Sequence, residues 1–185
     1  MSSSVYVQIA QNAIRARLEG TRLEKAPYVA AFPELAEKGA TFVTLTRHGH
    51  LLGCIGSLIA HRSLIDDLIS NAEAAAFRDP RFPPLSPSEF ADTRVEVSLL
   101  SPPEQVHYRD ASDLKNRIRP GTDGVIIRQG NYQATFLPQV WEEVRDFETF
   151  FSHLGLKAGI GSDPLSYHPD VYTYQVEKFS EESKS

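Results

Sequence analysis

Residues 53 to 56 read Gly-Cys-Ile-Gly and hold the only cysteine of the chain. A thiol flanked by glycine after a strand-like run has two readings. It is the reactive centre of a site, where missing Cβ atoms let another group come close. Or it is a small packing residue, since free cysteine is often buried. A catalytic cysteine needs its thiolate, which a nearby cation, helix N-terminus or imidazole favours. His48 and His50 share strand parity with Cys54. At about 3.3 Å per residue, however, His50 stands roughly 13 Å away along an extended strand, so no direct dyad forms.

Asn71, Glu73, Arg78, Asp79 and Arg81 form a second polar group. In the reactive reading Cys54 is the nucleophile or redox atom and Glu73 the proton acceptor. Arg81 is then an anion clamp, because its fork donates two parallel hydrogen bonds. Gly53, Gly56 and Asn71 complete the binding surface. In the structural reading the same charges form a helix-end network that fixes a proline-rich segment. Glu96 belongs on the solvent side of a strand, where it could floor a groove. Trp141 is expected to anchor a core, and Asp123-Gly124 to form a turn. The histidines at 48, 50, 61, 107, 153 and 168 show neither His-x-x-x-His nor His-Glu-x-x-His spacing, and no metal ligands are assigned. No Walker loop, dinucleotide loop or Gly-x-Ser-x-Gly elbow is present.

The elements that must position these residues follow from periodicity. Val5, Ile9, Ala13, Ile14 and Leu18 recur at helical spacing over 4–19, and Gly20 supplies a stop. A loop with Pro27 and Pro33 follows. Residues 41–47 and 50–55 flank a His48-Gly49 turn and read as a hairpin. Ser63 with Asp66 opens a helix to Phe77 whose buried stripe is Leu64, Leu68, Ala72, Ala75 and Ala76. Prolines exclude regular structure over 79–87. Residues 94–100 alternate as a strand, 111–119 form a short helix, and 124–128 with 132–137 a second hairpin. Two helices follow, one starting at Pro138 and one over 147–158, then an alternating strand over 171–179. Residues 180–185 are expected to be a polar tail. This order indicates an α+β fold with a largely antiparallel sheet and packed helices.

With 185 residues, 41% hydrophobic and 23% charged, the chain suits one globular domain. A net charge of -5 argues against nucleic-acid binding. A single cysteine excludes an internal disulfide framework and fits a reducing compartment. No signal-peptide pattern opens the sequence, and no apolar run approaches the roughly 20 residues of a membrane span. The expectation is a cytoplasmic protein.

Six segments in order resemble one family. They are Gly53-Cys-Ile-Gly-Ser-Leu, Asn71-Ala, Ala75-Ala-Phe-Arg-Asp-Pro-Arg-Phe-Pro-Pro-Leu, Val95-Glu-Val-Ser-Leu-Leu-Ser-Pro-Pro, Arg119-Pro-Gly-Thr-Asp-Gly and Ala134-Thr-Phe-Leu-Pro-Gln-Val-Trp. Together they resemble the AMMECR-one domain family across residues 5 to 180. The resemblance implies two unequal lobes with a groove between them and an intracellular protein without an established reaction. It also implies association with Memo-like or radical-SAM proteins in a protein or metabolite modification system. Two departures stand out: Leu52 occupies the family's usual Arg position, and Leu154-Gly155 replaces its usual Leu-Cys pair before Lys157-Ala-Gly. On this basis the chain is expected to bind a small polar molecule or a peptide at Cys54. A non-catalytic interaction module, presenting the groove or residues 79–87, is the alternative.

Overall fold

The computed structural model describes residues 4–181, so most of the expected polar tail, residues 182–185, lies outside the described residues. The described residues divide into two compact units, residues 4–100 with 177–181, and residues 101–176.

In the first unit α1 (Val5–Leu18) starts where Ser4 Oγ accepts the N–H of Val7. The loop that follows contains a short helix, α2 (Ala26–Ala31), and a 3-10 turn at Pro33–Ala36. Both begin near a proline, which is preorganised for a first helical turn. The hairpin is β1 (Ala40–Arg47) and β2 (His50–Gly56). α3 (Leu64–Phe77) is capped by Ser63, whose Oγ accepts the N–H of Asp66. The proline-rich stretch stays irregular until α4 (Pro87–Phe90), where Ser86 and Glu89 form a capping box. β3 (Thr93–Leu100) then pairs antiparallel with β1.

In the second unit β4 (Glu104–Val106) follows directly on Pro102-Pro103, and α5 spans Ala111–Arg117. β5 (Gly124–Gln129) and β6 (Tyr132–Phe136) form the second hairpin. α6 (Val140–Glu143) and α7 (Phe147–Ala158) come next. The final alternating segment is two strands, not one: β7 (Asp170–Tyr174) and β8 (Val176–Ser180). β7 joins the sheet β4-β7-β5-β6, whereas β8 joins β2-β1-β3-β8. Gln175 separates them, its N–H bound to Ser101 Oγ at 2.7 Å. Alternation cannot reveal such a break, because the side-chain period continues through it. The α+β class with antiparallel pairing is therefore what the sequence predicts.

One face of the first sheet carries the core of its unit. Val43, Leu45, Val95 and Val97 pack with Ile9, Ile14 and Leu68. Burying one such side chain fully contributes about 1.5–3 kcal/mol. Of the stripe expected on α3, Leu68, Ala72, Ala75 and Ala76 are buried, and Leu64 is half-buried. In the second unit Trp141 is the expected core anchor. Its ring stacks on Phe150 at 3.6 Å and its Nε1 donates to the Asp123 carbonyl at 2.9 Å. Among the described residues no helix is long and apolar enough to cross a membrane.

Candidate functional site around Cys54

Alternation along β2 decides which way the thiol faces. A Cβ on Gly53 would stand 1.9 Å from the Ala75 carbonyl oxygen, so position 53 faces α3. Cys54 therefore faces the opposite side of the sheet. Thr44 pairs with Cys54 on one side and with Glu96 on the other. The three form one cross-strand row on the face away from α3, with Thr44 Oγ1 3.3 Å from the half-buried Cys54 Sγ. Glu96 thus joins the thiol's row, two strands and roughly 10 Å away.

The backbone of Cys54 is pinned at the sheet edge, since β2 is an edge strand. Its N–H donates to Asp79 Oδ2 at 3.0 Å, and its carbonyl accepts from Arg81 Nη2 at 3.2 Å. Arg81 grips Asp79 in turn, Nη2 to Oδ2 at 2.8 Å and Nε to Oδ1 at 3.1 Å. These two side chains occupy hydrogen-bonding positions that an added strand would use. The hydrogen bonds of Arg81 hold the Asp79 carboxyl well below the usual carboxylate range, helped by the amides of Cys54 and Arg81 and against the effect of burial. The Arg81 guanidinium is raised, chiefly by Asp79 and to a lesser degree by Cys54. Its side chain is 57% exposed while that of Asp79 is 2% exposed. The fork therefore presents a cation to solvent beside the thiol.

The expected site residues divide among three places. Arg81 stands with Cys54, whereas Gly53, its neighbour in β2, faces α3. Gly56 makes room for the protein itself, because a Cβ there would stand 2.1 Å from the Phe42 ring. Asn71 lies on the α3 side of the sheet, where its Nδ2 contacts the Thr41 carbonyl at 3.1 Å and Ser57 Oγ at 3.2 Å. Glu73 lines a separate depression with Arg17 and Arg22. His50 loses its expected parity with Cys54: Leu45 pairs with Gly53 but Thr46 with Leu51, so Leu52 is a bulge residue.

Sequence reasoning missed Asp67. Its side chain is fully buried; Oδ2 accepts from the N–H and the hydroxyl of Thr41, each at 2.8 Å, and Oδ1 from Ser57 Oγ and Arg62 Nε. Spacing of four from Asn71 on one helix face was the available signal. The network ties α3 to β1 and to the end of β2.

Leu52 packs against the apolar core of its unit. At Gly155 a Cβ would stand 2.3 Å from the Gly161 carbonyl oxygen and 2.6 Å from Pro164 Cγ, so a cysteine does not fit unless that loop moves.

The AMMECR1 family model matches residues 7–179. A protein of Methanothermobacter thermautotrophicus is 39% identical over 180 residues, spanning 95% of this chain and 92% of that one. A protein of Methanopyrus kandleri is 36% identical over 186 residues, spanning 95% and 86%. The crystal structure of the uncharacterized protein PH0010 from Pyrococcus horikoshii superposes with a TM-score of 0.85 at 36% identity, covering 97% of this chain and 91% of that one. The chain belongs to the AMMECR1 family.

Proposed function

We propose that the outer face of the first sheet at Cys54 binds a small polar molecule carrying an anionic group. The observation that supports this is a half-buried thiol whose own peptide is gripped by an exposed, permanently charged guanidinium. An anion held by Arg81 brings the rest of a ligand over the row Cys54, Thr44 and Glu96. If the bound molecule is modified, Cys54 is the attacking or redox-active atom and Thr44 Oγ1 its hydrogen-bonding neighbour. Asn71 lies outside this binding face, in the Asp67 network that ties α3 to β1, and proton transfer is not assigned to Glu73. A peptide added as a strand at Cys54 is disfavoured, because Asp79 and Arg81 already use the outward N–H and carbonyl.

One observation favours an interaction module as a second reading. Pro80, Pro83 and Pro84 are exposed while Leu85 anchors their segment, its N–H bound to the Ala76 carbonyl at 2.8 Å. A Memo-like or radical-SAM protein, as the family association suggests, would be the partner of either surface.

The test of the leading reading is alkylation of the native protein by iodoacetamide with inorganic phosphate as competitor. We expect Cys54 to react without denaturant and phosphate to slow the reaction. A thiol that reacts only after unfolding would remove the proposal.

A further inference from the structure

The end of α1 and the segment after it bring Arg17, Arg22 and Leu23 beside Ile69 and Glu73 of α3, around a depression of about 360 Å³. Lys25 closes one side by donating to Asp66 Oδ1 at 2.7 Å, so that pair is already satisfied. Arg17, Arg22 and Glu73 differ. Among the described residues none of their side chains takes part in a hydrogen bond or an ion pair. Arg17 and Arg22 are exposed and Glu73 is half-buried, and the two guanidiniums and the carboxylate make no ion pair with one another. Half-buried Leu23 and Ile69 supply apolar wall between them.

We propose that this depression binds a small zwitterion of the α-amino-acid type with an apolar side chain. Its carboxylate accepts from Arg17 and Arg22, whose planar forks match that group. Its ammonium donates to Glu73, and its side chain lies on Leu23 and Ile69. A simple anion would leave Glu73 opposing it, and a simple cation would meet two like charges. Only a ligand carrying both signs satisfies all three groups. The proposal is independent of the Cys54 reading.

The test is a ligand-observed NMR titration with three probes: L-leucine, N-acetyl-L-leucine, which lacks the ammonium, and L-leucinamide, which lacks the carboxylate. Leucine is expected to bind and each blocked analogue to bind about fivefold more weakly, as suits a solvent-screened charged contact. Glu73→Gln should abolish discrimination against the acetylated probe and keep that against the amide. The Arg17→Ala, Arg22→Ala double variant should do the reverse. Absence of leucine binding, equal binding of the three probes to the wild-type chain, or discrimination unchanged in the variants would each overturn the proposal.

Discussion

Asp79 and Cys54 are 25 residues apart in the chain and joined by one hydrogen bond, from the Cys54 N–H to Asp79 Oδ2 at 3.0 Å. Through it the proline-rich motif holds the strand that carries the thiol. Arg81 completes the clamp at the Cys54 carbonyl. The structural and functional readings of Arg81 are thus compatible: the same fork that fixes the strand is the cation offered to a ligand.

Removing Asp79 should cost stability. Asp79→Ala leaves the Cys54 N–H and the Arg81 fork without their acceptor, and we expect a loss of about 2 kcal/mol in urea unfolding. Asp79→Asn, which keeps one acceptor, should lose less.

The pH dependence has a definite sign. The folded-state carboxyl of Asp79 lies below its unfolded value, so its contribution is complete above the unfolded pKa and fades as pH falls towards the folded one. Unfolding free energy should therefore decline below about pH 4, the ordinary range of a free aspartate. The decline should be shallower in Asp79→Asn. An identical acid limb in both proteins would contradict the assignment.

Glycine substitutions separate rigid from yielding contacts. Gly53→Ala drives a methyl into the backbone carbonyl of Ala75 and should destabilise by about 3 kcal/mol. Gly56→Ala meets the Phe42 ring, a side chain that can turn, and should cost less. Gly155→Cys should cost about 2 kcal/mol because the Gly161 carbonyl and Pro164 fill that space. Thermal or urea unfolding of the three variants checks the order.

Asn71 should prove structural by a specific criterion. Asn71→Ala removes a donor to the Thr41 carbonyl and to Asp67, and should lower stability by about 2 kcal/mol. Because Asn71 and Cys54 lie on opposite sides of the sheet, alkylation of Cys54 in the folded variant should keep its wild-type rate.

Much of this architecture is legible in the residues. Ser63 and Asp66 mark the start of α3, the alternation of Val95, Val97 and Leu99 marks β3, and Phe147–Ala158 reads directly as a helix. What stays hidden is non-local. The bulge at Leu52 depends on the partner strand, so His50 and Cys54 look aligned when they are not. The break at Gln175 depends on which sheet each half joins. Asp67 looks like an exposed first-turn acid until β1 delivers Thr41 to it. Glu73 falls two residues from Asn71, far enough around the helix to face another depression.

The central claim is that Arg81 makes the surroundings of Cys54 attractive to anions. It is tested most directly by comparing alkylation by anionic iodoacetate and neutral iodoacetamide in the folded wild-type protein, Arg81→Lys and Arg81→Ala. We predict that iodoacetate gains relative to iodoacetamide in the wild type and Arg81→Lys, and loses that advantage in Arg81→Ala. The same ratio of rates in all three proteins would contradict it.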